Sequence, residues 1–319
     1  MTFLPDPVQM ILGAHRLMDF SDHGPLMFAV RPKLTGYPAP PPASCLSGRT
    51  VLVTGATAGV GLKAAEEVVR LGARLILAAR NMEKAEKTRQ DFLATVPGGR
   101  VLLYELDMDS LGSVDGFVEK LRVDGIGPID VALLNAGVIL KDRRRVDGGW
   151  SQMMQINFRS TAYLALHLIP FLAHEAPNTP PDTVAKVPGR LVLVTSEAHA
   201  FSGYAPPPAD RDDVLSEFHS AHDLKMNCTQ EYFTSKLFIV LFTRELAARI
   251  DPAILEVLTV TPGFCASGIF PDAASIATRF IYRLHARSVE QGARLEVHAV
   301  TSSEPGLSGK YLRDGKVTR

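Results

Sequence analysis

The sequence predicts an α/β fold, a single Rossmann-type domain in which a doubly wound parallel sheet of about seven strands carries helices on both faces. Three observations lead to this prediction. From Arg49 onward, short apolar strand patterns alternate with longer helical patterns, which is typical of parallel βαβ units. A glycine-rich turn joins the first strand to the first helix. The 319 residues are enough for one large domain with a sizeable core.

The chain divides at about residue 48. Residues 1–48 are an N-terminal extension, with a mildly amphipathic opening and a proline-dense linker that ends in Pro40-Pro41-Pro42. We expect the extension to pack along the domain or to be disordered. Contact with a membrane surface and capping of a pocket are the alternatives. Residues 49–319 are expected to form the dinucleotide-binding domain.

Strand and helix patterns alternate regularly as far as the fourth strand. Strand Thr50–Val53 leads to helix Leu62–Leu71, which Gly72 ends. The elements that follow repeat this order: strand Arg74–Ala79, helix Met82–Thr95, strand Val101–Leu106, helix Ser110–Val123 and strand Ile129–Leu134.

Beyond the fourth strand the elements are longer and the connections larger. The pattern predicts a helix from Trp150 to about Ala173, a strand over Arg190–Thr195, a helix that ends near Ile250, a strand over Leu255–Thr261, a helical region to about Ala299 and a last strand at Gly309–Leu312. Two long loops, 197–230 and 263–285, interrupt this half. Because such loops usually set substrate specificity, we expect both to line the substrate pocket.

Composition and charge exclude several classes of protein. Hydrophobic residues make up 46% of the chain and charged residues 21%, and 34 basic residues balance 34 acidic ones. This balance gives no reason to expect nucleic acid or an anionic membrane as a partner. The three cysteines, Cys45, Cys228 and Cys265, form no C-x-x-C pair, which predicts reduced thiols and no metal site. His219 and His222 have the spacing of a weak metal pair without an evident third ligand.

The apolar stretches do not predict a transmembrane segment. The longest, around 163–173 and 237–242, are too short to cross a bilayer. The N-terminus lacks the basic, apolar and small-residue order of a secretion signal. We therefore expect a cytoplasmic protein, with peripheral membrane contact through the extension left open.

The glycine-rich turn Thr54-Gly55-Ala56-Thr57-Ala58-Gly59-Val60-Gly61 lies where backbone amides and a helix dipole can face a pyrophosphate. A nucleoside triphosphate loop would end in Gly-Lys-Ser/Thr, whereas Leu62 and Lys63 follow here. Three glycines alone could mark only a tight turn. The strand before and the helix after favour a dinucleotide site, formed by Thr54, Gly55, Ala58, Gly59, Val60 and Gly61.

The end of the second strand indicates which dinucleotide is bound. An NAD site usually has a carboxylate here for the ribose 2′-hydroxyl, and an NADP site has a cation for the 2′-phosphate. Arg80 follows the strand, and no acid occurs before Glu83. The sequence therefore favours NADP(H), with Arg80 as the main determinant and Lys84 as a helper. The alternative is that Arg80 is merely solvated.

Tyr232 and Lys236 are four residues apart in a predicted helix, so their side chains lie on one face, one turn apart. A tyrosine that exchanges protons at neutral pH needs its pKa lowered by roughly three units from its usual value near ~10. An ammonium one turn away can supply much of that lowering. The alternative is a surface lysine beside a half-buried tyrosine, because this spacing is common.

Several motifs together resemble the short-chain dehydrogenase/reductase family over about residues 49–312. They are the glycine-rich turn, Asp107 after the third strand, Asn135-Ala136-Gly137 after the fourth, Asn157, Ser196, Tyr232 with Lys236, and Pro262-Gly263. Within this family, Ala79-Arg80-Asn81, Ser196-Glu197-Ala198-His199 and Leu241–Leu246 look most like the retinol-dehydrogenase-like branch and its fungal relatives. Secondary metabolism is the expected setting.

The resemblance implies a catalytic set of four residues. Tyr232 would be the general acid in carbonyl reduction or the base in alcohol oxidation, and Lys236 would lower its pKa and bind the nicotinamide ribose. Ser196 would hold the substrate oxygen, although 197–230 separates it from Tyr232 by more residues than in most relatives. Asn157 would bind a water that links Lys236 to solvent. A strand-end cap at Ser196 and a buried, structural Asn157 are the alternatives.

The resemblance also implies cofactor contacts further along the chain. Asp107 would meet the adenine with Met108 beside it, and Asn135, Ala136 and Gly137 would line the groove. Pro262 and Gly263 would turn the chain against the nicotinamide, with Ser267 near its carboxamide. The predicted pocket residues are His199, Phe264, Ile269 and Phe270. Hydride transfer needs no metal.

The expected function is that of an NADP(H)-dependent oxidoreductase acting on a hydrophobic ketone, aldehyde or matching alcohol. Two alternatives remain open: a cofactor-bound isomerase, lyase or dehydratase without net redox change, and a non-catalytic dinucleotide sensor. The complete set of Asn157, Ser196, Tyr232 and Lys236 argues against the sensor, since binding alone does not need all four. A homodimer through the apolar outer faces of helices 150–173 and 232–250 is a further hypothesis.

Overall fold

An eight-stranded sheet organises the structure, a computed structural model that describes residues 36–146, 148–173, 187–204, 226–266 and 286–318. The strand order is β3-β2-β1-β4-β5-β6-β7-β8, in which only the pairing of β7 with β8 is antiparallel. The strands are β1 Thr50–Thr54, β2 Arg74–Ala79, β3 Arg100–Glu105, β4 Val131–Leu134, β5 Gly189–Val194, β6 Leu255–Val260, β7 Tyr311–Arg313 and β8 Lys316–Thr318.

Helices cover both faces of the sheet, which confirms the predicted doubly wound Rossmann-type fold. They are α1 Gly59–Arg70, α2 Met82–Thr95, α3 Leu111–Val123, α4 Gln152–Met154, α5 Thr161–Leu172, α6 Cys228–Ala247 and α7 Val289–Thr301, with a π-helical segment Gln155–Ser160 between α4 and α5. Side chains alternate between the faces along each strand, so two separate cores form. One core joins the sheet to α1, α2 and α7, and the other joins it to α3, α5 and α6.

The C-terminal end of the sheet is larger than predicted. The sequence predicts one last strand at Gly309–Leu312, but β7 continues to Arg313 and turns back as β8. Asp314 and Gly315 form the two-residue turn, with φ angles of 55° and 72°. An Asp-Gly pair is a strong hairpin signal because both residues tolerate positive φ. The Asp314-Gly315 pair is therefore the feature of the sequence from which the eighth strand could have been predicted.

The helix predicted from Trp150 to Ala173 is not a continuous α-helix, and this prediction was wrong in detail. Its middle, Gln155–Ser160, is π-helical. The Thr161 hydroxyl donates to the carbonyl of Ile156 at 2.9 Å, and the Gln155 amide donates to Ser160 Oγ at 2.8 Å. Periodicity cannot reveal one inserted residue, because the apolar spacing on either side still looks helical.

The described part of the N-terminal extension, residues 36–48, packs against the domain. Leu46 is 2% exposed, and its backbone amide donates to the carbonyl of Leu71 at 3.1 Å. The Tyr37 ring lies 5.5 Å from the Arg287 guanidinium and 5.9 Å from that of Arg294. This proline-rich segment therefore crosses from the first helix to the last.

Gly189 begins β5 directly beneath the end of α5, where a side chain has no room. An added Cβ would lie 2.8 Å from the backbone carbon of Leu172. Gly189→Ala is therefore expected to lower the free energy of unfolding by about 1–3 kcal/mol through overpacking. Urea unfolding followed by circular dichroism measures the change.

Gly116 is the matched control for this substitution, since an added Cβ there meets nothing within 4 Å. Because Gly116 lies inside α3, Gly116→Ala should raise the free energy of unfolding by about 0.5–1 kcal/mol. Equal effects at the two positions would show that the contact with Leu172 does not decide stability.

Among the helices in the described residues, none is long and apolar enough to span a membrane.

Candidate active site

The candidate site lies at the carboxyl ends of the central strands, where parallel sheets usually bind ligands. Ser196 follows β5, and α6 carries Tyr232 and Lys236 past the same edge. The Thr195 hydroxyl donates to the carbonyl of Lys236 at 2.8 Å, which fixes α6 against the end of β5. The enlarged segment after Ser196 therefore does not keep the serine away from Tyr232.

Tyr232 is half-buried, and the Ser196 hydroxyl acts on its phenol. Burial raises the pKa of Tyr232 to about 12, the Ser196 hydroxyl opposes that rise, and the Cys265 thiol adds to it. Ser196 Oγ also accepts from the Ala198 amide at 3.2 Å, which fixes its rotamer. The expected lowering of the Tyr232 pKa by Lys236 is therefore not found in this structure, because burial of the phenol outweighs it. The phenol is a protonated group that can donate to a carbonyl oxygen.

Lys236 is 4% exposed, and its ammonium donates to the carbonyl of Val194 at 3.2 Å. Its Nζ lies 6.0 Å from the centroid of the Tyr232 ring. Burial lowers the pKa of Lys236 to about 8, and Glu296 acts in the opposite direction. A buried ammonium at this distance stabilises a phenolate more strongly than one in water.

Asn157 lies in the π-helical segment and is 1% exposed. Its Oδ1 accepts from the Val138 amide at 2.8 Å, and its Nδ2 donates to the Val138 carbonyl at 2.9 Å and to Ser235 Oγ at 3.1 Å. A Cβ added at Gly137 would lie 3.2 Å from Lys236 Nζ and 3.3 Å from Asn157 Oδ1. Asn157 thus ties the loop after β4 to α6, next to the lysine.

The glycine-rich turn has the geometry of a phosphate cradle. Gly55 and Gly59 have φ angles of 70° and 57°. An added Cβ at Gly61 would lie 2.7 Å from the Gly55 carbonyl oxygen. Ala58 caps α1 without a side-chain hydrogen bond, so the first amides of the helix are left for a ligand. The cradle fits a dinucleotide pyrophosphate.

Thr54 and Asn135 hold the ends of β1 and β4 together beside this cradle. Asn135 Nδ2 donates to the carbonyl of Thr54 at 3.1 Å, and the Ala136 amide donates to Thr54 Oγ1 at 3.0 Å. Both side chains are therefore used to hold the two strand ends together beside the glycine-rich turn, and the backbone of Ala136 and Gly137 continues from there.

Arg80 lies beside two carboxylates at the end of β3. Its guanidinium is 3.2 Å from Asp109 Oδ2 and 3.9 Å from Asp107 Oδ1, and its side chain is 66% exposed. Asp109 is not among the residues predicted from the sequence, and its Oδ2 also accepts from the side-chain amide of Gln152 at 2.9 Å. The signal was available, because Asp109 follows the third strand two residues after Asp107.

Lys84 and Met108 occupy the margins of this region. The Lys84 amide donates to the side chain of Asn81 at 2.8 Å, which caps α2, and its side chain is exposed. Met108 is buried, and its carbonyl accepts from Ser160 Oγ at 2.7 Å. The side chain of Met108 is therefore used in packing, and the residue can contribute only its backbone to the site.

Arg287 supports the turn that follows β6, a role that the sequence analysis missed. Gly263 has a φ of 75°, and its amide donates to Thr261 Oγ1 at 3.0 Å. Arg287 donates to the Pro262 carbonyl at 3.4 Å, its own amide donates to the Phe264 carbonyl at 2.8 Å, and its guanidinium pairs with Asp314. Nothing in the spacing of the sequence links Arg287 to residues 262–264.

His199 contacts the backbone of the site. Its Nδ1 donates to the carbonyl of Ser196 at 2.6 Å, and its ring meets that of Tyr311 edge-on at 4.9 Å. Burial lowers the pKa of His199. Three predicted residues, Ser267, Ile269 and Phe270, lie outside the described residues, as do His219 and His222.

Within the described ranges, no group of three or more His, Cys, Asp or Glu side chains is arranged to hold a metal ion.

The chain is similar in sequence to fungal dehydrogenases. A family model described as short chain dehydrogenase matches residues 49–205. A short chain dehydrogenase of Aspergillus sclerotiorum is 45% identical, over 99% of this chain and 89% of that protein. A short chain dehydrogenase of Aspergillus nomiae is 43% identical, over 99% of this chain and 86% of that protein.

Solved structures have a similar fold. An uncharacterized protein from Mycobacterium paratuberculosis gives a TM-score of 0.62 at 25% identity, covering 87% of this chain and 84% of that chain. A short chain dehydrogenase of Shigella flexneri, solved in complex with NADP, gives a TM-score of 0.57 at 20% identity, covering 80% of this chain and 93% of that chain. The second likeness concerns the fold alone.

Proposed function

Because the chain belongs to the short-chain dehydrogenase family, we propose that it is an NADP(H)-dependent oxidoreductase that reduces a ketone or aldehyde of a hydrophobic small molecule. One observation carries the proposal. Ser196 at the end of β5 acts on the Tyr232 phenol, and Lys236 Nζ lies 6.0 Å from the tyrosine ring, all beside a cradle that fits a pyrophosphate.

Each residue has a separate task in this reaction. The Ser196 hydroxyl and the Tyr232 phenol both bind the substrate oxygen, and Tyr232 gives it a proton. Lys236 stabilises the phenolate that results. NADPH, when bound, supplies the hydride. Asn157 keeps the loop after β4 and helix α6 in register, so Lys236 stays aimed at the tyrosine.

The direct test is oxidation of NADPH by the purified protein with a panel of hydrophobic ketones and aldehydes. Turnover that depends on substrate is expected, and mass spectrometry should find the alcohol. Conversion of substrate without consumption of NADPH would favour an isomerase, lyase or dehydratase. Tight NADPH binding with no conversion of any substrate would favour a sensor.

NADP(H) is proposed over NAD(H) because Arg80 follows β2 and is largely exposed there. The Shigella flexneri protein of similar fold was solved with NADP, which supports the proposal. Arg80 would turn from Asp107 and Asp109 toward a 2′-phosphate, while the first-turn amides of α1 would hold the pyrophosphate.

Arg80→Gln is therefore expected to weaken NADPH binding about 10- to 100-fold and to leave NADH binding nearly unchanged. The expected size is that of a lost hydrogen bond to a charged group, about 1.5–3 kcal/mol. Fluorescence titration with both cofactors measures it. Lys87→Gln is the control, since its side chain is exposed on α2 and no role in cofactor binding is assigned to it. An equal loss of NADPH and NADH affinity in the Arg80 variant would contradict the assignment.

We also propose a homodimer. Leu166 on α5 is 46% exposed and Leu241 on α6 is 48% exposed, so both helices present large apolar side chains on their outer faces. Sedimentation equilibrium at micromolar concentration is expected to give a dimer. A single 34.6 kDa species would contradict this part of the proposal.

A further inference from the structure

Helix α7 buries an acid that the proposed mechanism does not use. Glu296 is 0% exposed, and neither of its carboxylate oxygens has a hydrogen-bond partner among the described residues. It interrupts an otherwise apolar helix face formed by Ala293, Val297 and Val300, which pack in the core. A buried carboxyl without partners is costly, so a core position of this kind calls for a role beyond packing.

The start of α7 lies against the turn that follows β6. A Cβ added at Gly292 would overlap the Sγ atom of Cys265 and would lie 3.2 Å from Pro262 Cβ. Glu296 is one turn further along, at the i+4 position, so it projects from the same face of the helix. Its side chain therefore points toward the core beneath the carboxyl ends of β5 and β6.

Lys236 reaches the same region from the opposite face of the sheet. Helix α6 packs in the core with α3 and α5, whereas α7 packs in the other core with α1 and α2. The ammonium of Lys236 is bound to the carbonyl of Val194, the last residue of β5. Helix α7 packs over β5, so the two side chains lie on either side of this strand, and each shifts the pKa of the other.

Other charged groups around α7 are engaged elsewhere. Lys63 and Glu66 on α1 pair with each other at 3.1 Å and act on Glu290 at the start of α7. Arg190 and Glu256 form a salt bridge at 2.6 Å at the amino-terminal ends of β5 and β6, away from the candidate site. Arg190 also donates to the Ala299 carbonyl there.

Cys265 and two residues of α7 itself complete the surroundings of Glu296. The Cys265 thiol, on the turn after β6, is buried and is acted on by Glu296, Arg287 and Glu197. Arg294 lies over Tyr37, and His298 is two residues from Glu296 and projects from another side of the helix. Burial raises the pKa of Glu296, and the charge of Lys236 opposes that rise.

We propose that Glu296 is a positioning residue for catalysis, a buried electrostatic partner that keeps the Lys236 ammonium charged while Tyr232 exchanges its proton. This inference rests on the proposed reductase function. Burial raises the pKa of Glu296 to about 8, and burial lowers the pKa of Lys236 to about 8. Because both groups change charge in the same range, the carboxylate forms as the lysine would begin to lose its proton, and its negative charge holds that proton in place.

Glu296→Gln removes the charge with little change in shape, and it tests the inference in two ways. In the native protein, NADPH-dependent reduction should fall as pH rises, when Lys236 becomes neutral. In the variant this fall should begin roughly one pH unit lower, while the rate at pH 6 stays within about twofold. A structural defect would lower the rate at every pH instead of moving the profile.

The second readout needs no catalysis. The folded pKa of Glu296 lies above its unfolded value of 4.5, so the native protein loses stability relative to the variant as pH rises from about 4.5 to about 8. The urea midpoints of the two proteins should be closest at pH 4 and separate by pH 8, where the variant is the more stable. Glu296→Met should behave like Glu296→Gln, and Glu304→Gln, at an exposed position just beyond the end of α7, should match the native protein.

Each outcome decides the inference. A shifted rate profile together with diverging urea midpoints supports it. Diverging midpoints with superimposed profiles overturn it, because Glu296 would then be a buried acid without effect on Lys236. Midpoints that stay together at all pH values overturn it as well. If no substrate is reduced, the proposed function fails, and the pH dependence of NADPH affinity in the native and variant proteins replaces the rate profile.

Discussion

Replacing Tyr232 with phenylalanine is expected to lower kcat for carbonyl reduction by about 100- to 10,000-fold, the usual contribution of a general acid. The phenyl ring keeps the packing against Phe233, whose ring centroid lies 6.3 Å away, and removes only the hydroxyl. NADPH affinity should change little, because the cradle around Gly55 and Gly61 is untouched. Stopped-flow absorbance with a working ketone gives kcat, and fluorescence titration gives the affinity.

Tyr104→Phe is the matched control for this loss. Tyr104 is buried, and its substitution removes a hydrogen bond, since its hydroxyl donates to Asp124 at 2.9 Å. It lies in β3, at the opposite end of the sheet, so its removal should cost stability of about 1 kcal/mol and no activity. Equal activities of the two phenylalanine variants would exclude Tyr232 as the proton donor.

Lys236→Met should lower kcat/KM for reduction by a similar factor, about 100- to 10,000-fold, for a different reason. Methionine fills the buried volume of the lysine stem but carries no charge, so Tyr232 loses the group that stabilises its phenolate. Lys87→Met, which changes an exposed lysine of α2, should retain full activity. Retained activity in Lys236→Met would contradict the assigned role.

The pH dependence of stability separates this loss from misfolding. Burial lowers the pKa of Lys236 to about 8, below its unfolded value of 10.5, so the unfolded state binds more protons between these values. The native protein therefore gains stability as pH rises through that window, and Lys236→Met does not. At pH 7 the variant should be at least as stable as the native protein by urea unfolding.

The sequence predicted the elements that depend on local pattern. The β1 strand, the glycine-rich turn and α1 follow directly from apolar runs and the need for backbone without side chains at Gly55, Gly59 and Gly61. The spacing of Tyr232 and Lys236 likewise fixes their shared helix face. Such features are visible because neighbours in sequence are neighbours in space.

Contacts between distant segments could not be predicted in the same way. Arg287 supports Pro262 and pairs with Asp314, and Glu296 acts on Lys236 from another layer of the fold. No periodicity connects these positions, because the tertiary fold alone brings them together. The π-helical turn at Asn157 was missed for a related reason, since its extra residue leaves the surrounding pattern intact.

The proline-rich segment over α7 has a consequence for synthesis. A chain emerges from the ribosome N-terminus first, and contacts between distant segments must wait for the later one. Tyr37 lies over Arg287 and Arg294, and Pro38 lies against Gly315 of the terminal hairpin. These early residues cannot reach their places until almost the whole domain has been made. The segment therefore closes over a sheet that is already assembled, as a late step of folding.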